Sequence, residues 1–543
     1  MRFAALTGLA LLATPSLSAQ VRLCRADPVI GGDLDDRARL ATLLGTERGD
    51  ELLLRSLSSR QAPFDSAPSP VRLRWCAMRP EVTGVYNSAI PLSLNYGPLW
   101  AGRGWSEDIR GGLRAQWRRV SLVFATELVA TDNLPYEMPP LAVQLPRPAG
   151  RSTFSTPWHV GAYSIDLPLR FGDWGYWRLD PGQSTLAVDL GAVAAGLSTE
   201  NEWWGPGIRN AIVLSNNAPG IPRAFVRTAH PIRTRVGTFA ARWFLGGLSE
   251  SPYFDATPVD DRRSISGFAT TWTPGAPTLT LGFTRAVYAP LERWGDIVRH
   301  VFDVVRDRGW HPVPGDSALV PRRDQIFSLF GRWVFPADGL AVHAEWARTD
   351  PPHSLRDFLT AGNRSQGYTL GLEWARPLGG GGVAARDALR VQTEVTYLEQ
   401  SPAFRNFPQT TFYTSAAAPQ GYTQRGQVIG AAIGPGASSQ WFAVDYFAPT
   451  WRVGLFGGRI RWDDDALYLF PGVADNKSCS HDVSLFGGIS AGADSRWGRF
   501  RLALTRGVRL NMFFDHLTLC GITYPQFVLD VRNTTLELRL SPP

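Results

Sequence analysis

Long apolar runs are missing from this sequence. The best candidate, Phe3 to Ala13, is broken by Thr7 and Gly8 and falls short of the ~18 residues that a spanning helix needs. No later stretch comes nearer, which excludes an α-helical membrane span. Lysine is nearly absent, so the 55 basic residues, set against 48 acids, are almost all arginine. That arginine is dispersed without a basic cluster, which argues against a nucleic-acid partner. Catalytic signatures are also lacking. The one Gly-x-Ser-x-Gly match, Gly488 to Gly492, lies inside an alternating segment and not at a strand-to-helix elbow; there is no His-Glu-x-x-His and no P-loop, and the eight histidines are scattered. Neither an enzyme nor a cofactor or metal centre is expected. The run Asp463-Asp464-Asp465 reads as a solvated loop before it reads as a cation site.

What the chain has is glycine and aromatic residues: 54 Gly, 28 Phe and 20 Trp. It opens with Arg2, a short apolar run and "SLSAQ". This reads as a secretory signal peptide over 1–19, cut after Ala19. Arg22 lies too close to Cys24 for a lipoprotein signal. Leucines at 34, 40, 43 and 44, then at 52, 53, 54 and 57, suit two short amphipathic helices broken near Gly45. Residues 20–78 are therefore expected to form a small helical segment, a periplasmic arm or plug.

From about Glu81 the period changes to two. Leu122, Phe124 and Leu128 alternate with Ser121, Ala125 and Glu127, and Leu370, Leu372 and Trp374 with Thr369, Gly371 and Glu373. Eighteen such segments can be placed between residues near 85 and near 533, with centres near 163 and 191 among them. Short connections ("TPGAP", "PADG", "APT", "ADSRWG") keep phase with long ones (88–108, 131–157, 199–222, 287–324, 399–438, 463–482). The pattern predicts an all-β fold: a transmembrane antiparallel β-barrel of about 18 strands over 79–543, short turns in the periplasm and long loops outside. The inward acids Glu345, Glu373 and Glu394 could mimic a carboxylate pair, but polar lumen residues look the same. Cys24 and Cys76 fall on one side of this topology, and Cys479 and Cys520 on the other. An exported chain favours disulfides, and the topology allows only 24–76 and 479–520.

Three stretches share the outer side: "YNSAIPLSLNYGPLWAGRG" (86–104), "STENEWWGPGIRNAIVLSNNAPGIP" (198–222) and "GYTQRGQVIGAAIGPG" (421–436). In their order and their residues they resemble the capsule assembly Wzi family of outer-membrane proteins. The resemblance rests on Asn95, Gly97, Leu99, Trp100, Gly102 and Gly104; on Trp203 to Gly207 with Leu214, Ser215, Asn217 and Ala218; and on Arg425, Gly426, Ile429 and Gly430. It implies a barrel that holds capsular or exopolysaccharide at the cell surface in a lectin-like way, amid outer-membrane lipid and lipopolysaccharide. The alternative on the same fold is a porin or specific transport channel. Indoles stack on sugar rings, while Arg, Asn and Glu meet hydroxyls and carboxylates. The candidate glycan contacts are Asn95, Trp100, Arg103, Glu202, Trp203, Trp204, Arg209, Asn210, Asn217 and Arg425; Trp203 and Trp204 could equally be packing residues. An insert at 293–324, with a helical stripe from Trp294 to Val305, and the non-aromatic end "LRLSPP" depart from the family pattern.

Overall fold

The computed structural model describes residues 22–24, 30–47, 52–58, 72–138, 147–257, 261–275, 278–306, 323–349, 355–360, 362–378, 387–400, 411–469, 481–514 and 530–542. Its barrel strands are β1 (Arg74–Asn87), β2 (Gly104–Trp117), β3 (Val120–Thr131), β4 (Tyr176–Asp180 and Thr185–Asp189), β5 (Val193–Ser198) and β6 (Arg223–Thr228 and Ile232–Thr234). They continue as β7 (Gly237–Ser249), β8 (Arg262–Thr273), β9 (Leu279–Pro290), β10 (Asp324–Phe335), β11 (Leu340–Arg348) and β12 (Gln366–Leu378). The last six are β13 (Asp387–Tyr397), β14 (Ser438–Phe447), β15 (Trp451–Trp462), β16 (Asp482–Ser495), β17 (Gly498–Leu510) and β18 (Val531–Ser541). Both pieces of β4 pair with β3 and both pieces of β6 with β7, so the sheet has eighteen staves among the described residues. It closes where β1 meets β18 antiparallel, from Val82↔Leu540 to Asn87↔Thr535. Closure removes the exposed edges that an open sheet would leave. Pro80 lacks an N–H for the ladder and sits where the β1–β2 register shifts, between Met78 and Glu81, as a bulge allows.

The outer face is apolar: Leu113, Phe124, Leu128, Leu370, Leu455, Ile489 and Leu502 are exposed there. Exposed Trp117, Trp272, Trp333, Trp451 and Trp497 all lie within a few residues of short turns. They form one half of an aromatic belt at that rim. The exposed pair Trp174 and Trp177 lies near the opposite rim, where β3 and β4 meet the long loops.

The lumen is filled. Inward Ile265, Tyr288, Ile326 and Phe330 join a buried cluster with loop residues Ile212, Val213, Leu214, Phe412, Tyr413 and Tyr422. Helix α1 (Asp33–Leu43) fills the short-turn end. Leu40 and Leu43 pack on Val334, Ala341, Ala375, Ala388 and Phe447. Arg39 meets Glu373 at 2.8 Å, and Asp36 accepts hydrogen bonds from Arg390 at 2.6 and 3.1 Å and from Arg452.

Four expectations change. The segment near 163 is not a strand but a loop with one 3-10 turn, Gly161–Tyr163. Its alternation is genuine, since Ile165 joins the lumen cluster while Ser164 and Asp166 bond to Arg151 and Ser251. An extended loop packed inside a barrel shows the same period as a strand. The segment near 191 is the hairpin between β4 and β5. Among the described residues there is no second N-terminal helix: Leu54–Ser56 is an inner strand paired with Glu202–Trp204. Leu52, Leu53, Leu54 and Leu57 are all buried because protein covers both sides of that strand. In the insert, a 3-10 segment (Trp294–His300) and one helical turn (Asp303–Arg306) replace a continuous helix.

Cys24 and Cys76 form a disulfide. Cys479, Cys520, their expected disulfide and the expected signal sequence over 1–19 lie outside the described residues.

Candidate functional site: an aromatic cavity above a three-loop knot

The three sequence blocks meet inside the barrel. Asn217 joins them: its Oδ1 accepts from Asn95 N at 3.0 Å, and its Nδ2 donates to the Val428 carbonyl at 2.9 Å. Gln427 donates to the Gly97 and Asn217 carbonyls, at 3.2 and 2.9 Å. The Asn95 amide donates to the Arg209 carbonyl at 2.8 Å. Asn95 (φ 63°) and Arg425 (φ 50°) both hold left-handed backbone, which costs ~1 kcal/mol or more for arginine. The Arg425 head pairs with Asp180 at 2.8 Å.

The stretch 200–210 is the base of this knot. Trp204 is fully buried, with its ring centroid 5.5 Å from that of Phe244. Its indole N–H donates to Glu202, which also pairs with Arg223 at 2.9 Å and Arg242 at 3.5 Å. Trp203 is 3% exposed, under Arg55 at 5.0 Å. Gly205 has φ 117°, and a Cβ there would lie 2.8 Å from a Glu345 oxygen, so only glycine fits. The backbone N–H groups of Ile208, Arg209 and Asn210 all donate to the Glu394 carboxylate, and Asn210 reaches Thr396 and Ser439. Two of the three inward glutamates are thus occupied as anchors. Glu373 holds α1, Glu394 holds 208–210, and Glu345 lies against Gly205.

Above the knot, at the loop rim, is a cavity of about 210 Å³. Trp100, Tyr136, Trp158, Trp462, Phe513 and Phe514 form its aromatic wall, and His159, Asn217, Asp463, Asp482 and Arg509 its polar edge. Trp100 is half-buried, with one side on Phe171 at 4.8 Å. Arg509 grips Asp482 with two hydrogen bonds, at 2.8 and 2.6 Å, and lies over the Trp462 and Phe513 rings at 5.2 and 4.7 Å. His159 pairs with Asp463 at 2.7 Å, and Trp158 donates to the same carboxylate at 3.0 Å. Phe513 (φ 58°) and Phe514 (φ 60°) hold left-handed backbone in the wall, a strain that bulky residues adopt only where the surroundings impose it.

Of the expected contacts, this cavity collects Trp100 and Asn217. Arg209 and Trp203 face a second cavity nearer α1. Glu202, Trp204 and Asn210 are buried framework, and Arg103 donates to the carbonyls of Ser88 and Pro135. Tyr136, Trp158, Trp462, Asp482, Arg509 and Phe513 carry no local motif; "PWHV" and "RWDDD" were the available signals. The Asp463–Asp465 run is not the solvated loop expected: Asp464 and Asp465 are buried, and the three carboxylates face different partners, Asp463 Trp158 and His159, Asp464 His481, and Asp465 Thr411 and the Gln400 N–H. No group of three His, Cys, Asp or Glu among the described residues is set to hold a metal.

Asp465 gives a pH test. Burial pushes its carboxyl up to about 8, against hydrogen bonds from Thr411 and the Gln400 N–H. A carboxyl raised in the folded state contributes stability below its unfolded value, and this is lost as pH rises through about 8. Asp465→Asn is therefore expected to gain stability relative to wild type from about pH 4 to about pH 8, with a slope of up to about 1.4 kcal/mol per unit, and to gain no more above that. Melting curves of both proteins at several pH values check this; equal slopes would refute it.

Among solved structures, the chain is similar to Wzi of Escherichia coli, an outer-membrane protein involved in group 1 capsule assembly and a carbohydrate-binding β-barrel. The TM-score is 0.51 at 12% identity, covering 85% of this chain and 84% of that one. The chain has the fold of an outer-membrane β-barrel. At that identity the likeness is one of fold, and it agrees with the resemblance carried by the three blocks. OccK5 (OpdH) of Pseudomonas aeruginosa aligns more loosely, with TM-score 0.37 and 10% identity over 87% of this chain and 98% of that one. A BenF-like porin from Pseudomonas fluorescens Pf-5 gives 0.36 and 8% over 86% and 98%. No protein-family model and no curated protein matches the chain.

Proposed function

We infer that the protein holds surface polysaccharide at the outer membrane in a lectin-like way and makes no covalent change to it. The loop-rim cavity carries this reading. It has an aromatic wall for the C–H faces of sugar rings, and His, Asn, Asp and Arg beside it for hydroxyls and acid groups. It rests on the knot of the three blocks that resemble the capsule assembly family. The export signal expected over 1–19 would agree with an outer-membrane location. A porin-like role fits less well, because an apolar cluster and α1 fill the lumen that a porin keeps open to water.

The test is the paired change Trp100→Ala and Trp462→Ala. Both side chains are only half-buried, so the barrel should keep its heat-modifiable gel mobility. Cell-bound polysaccharide is expected to fall severalfold and polymer in the medium to rise, with total synthesis unchanged. Folded double variants that retain polymer like wild type would end the reading.

A further inference from the structure

A second cavity, of about 250 Å³, lies deeper, between α1, residues 90–96 and the inner faces of β13 to β18. It meets the loop-rim cavity at Ile90, Leu92, Ser484 and Arg509. Its charge is lopsided. Asp35, Asp36, Asp445 and Glu537 line it, against Arg39, Arg55, Arg209, Arg390, Arg452, Arg501, Arg509 and Arg539. Most of these arginines have acid partners. Two, Arg209 and Arg501, make no direct ion pair among the described residues, although both feel the charge of Glu537 and Arg501 that of Asp36. The exposed Arg209 guanidinium lies over the Trp441 ring at 5.6 Å and makes no hydrogen bond or ion pair. Arg501 reaches only the Gly31 carbonyl, at 3.5 Å, and its Nε has no partner. The nearby carboxylate of Glu537 is already engaged by Arg539 at 2.7 Å and by the Tyr96 hydroxyl at 2.8 Å.

The uncharged groups of the wall are also unsatisfied. The Trp203 indole N–H and the Asn95 and Asn216 amide oxygens are buried without partners among the described residues. Each such group left unpaired costs about 1–3 kcal/mol. A ligand that matches this wall needs an anion for two guanidiniums, hydroxyls that both donate and accept, and an apolar face for Trp441. Inorganic phosphate supplies only the first. A neutral sugar lacks it. We propose that this inner cavity binds a carboxylate-bearing sugar, its acid group held by Arg209 and Arg501 and its ring beside Trp441 and Trp203. At about 250 Å³, against about 30 Å³ for a water molecule in the liquid, the space suits one sugar residue. The inference deepens the polysaccharide reading by naming an acidic sugar, yet it uses residues that the loop-rim test leaves untouched.

The purified full-length protein, titrated in detergent with glucuronate, glucose and inorganic phosphate, tests it through calorimetry and tryptophan fluorescence. Glucuronate is expected to bind at least about tenfold more tightly than either other probe, and less tightly as salt rises. Arg209→Gln and Arg501→Gln should each weaken it about tenfold, with Arg209→Lys between, because lysine keeps the charge but not the bidentate fork. Equal affinity for glucose or phosphate, or glucuronate binding indifferent to both glutamine variants, overturns the proposal. If that happens while the Trp100/Trp462 variant still sheds polymer, the inner site is wrong and the surface role stands. If glucuronate binds as expected while that variant retains polymer, the inner site stands and the loop-rim reading falls.

Discussion

Trp204→Ala is expected to destabilise the barrel by about 3–5 kcal/mol, the usual cost of deleting a buried tryptophan. The effect comes from packing. Trp204 is fully buried in the lumen cluster, its N–H bonds to Glu202, and its backbone pairs with Leu54 and Leu214. Removing the indole leaves a void beside Phe244 and takes a donor from a carboxylate already shared by Arg223 and Arg242. Trp204→Phe should cost less, since it refills most of the void and loses only the N–H. Thermal loss of heat-modifiable mobility, measured for the three proteins, should rank wild type, then Phe, then Ala. A Trp204→Ala protein that melts like wild type would mean that the indole is not part of the core. The adjacent tryptophans thus divide: Trp204 supports the fold, and Trp203 faces the inner cavity.

The barrel was legible in the sequence because its two faces meet different media. Lipid outside and packed protein or water inside impose a period of two, and Leu370, Leu372 and Thr369, Gly371 obey it. The same rule misleads where a loop also has two environments, as at Ser164 to Leu167, where an extended loop alternates between the lumen cluster and a polar network. It fails for Leu52 to Leu57, which protein covers on both sides; a short, evenly apolar run fits helix and strand alike. At the site, the three blocks were legible because a backbone knot needs residues such as Gly205 and Asn95 at fixed places. The aromatic wall above them was not. Its members run from Trp100 to Phe514, each an ordinary aromatic locally, and only barrel closure brings β1, β3 and β15 to β17 to one rim.

In planar bilayers, wild-type protein is expected to conduct almost no ions, and Arg390→Met to open a measurable conductance. Arg390 is the centre of the latch on α1. It donates to Asp36 at 2.6 Å and to Asp445 at 2.7 Å while lying over Phe447 at 4.7 Å. Methionine keeps much of the volume but leaves two acids short of a partner, and breaking a buried pair this way costs about 3–5 kcal/mol. The other charged holds on α1 are Asp36 on Arg452, Arg39 on Glu373, Asp35 on Arg55 and the part-exposed pair Arg37 and Asp494, and Arg390 is the one that ties Asp36 to Asp445 on the barrel wall. Its release should uncover the short-turn mouth, seen also as new protease cleavage near Asp33–Leu43. The pH dependence follows from Asp36. Burial alone would raise its carboxyl, but Arg390 and Arg452 overcome that and hold it well below the ordinary carboxylate range. A lowered carboxyl contributes stability that is present above its unfolded value and lost only as pH falls through the folded one. The wild-type barrel should therefore stay closed from pH 8 down to about 4. An open channel in the wild type at pH 7, or an Arg390→Met protein as closed and as stable as wild type, would show that α1 is a passenger in the lumen and not its plug.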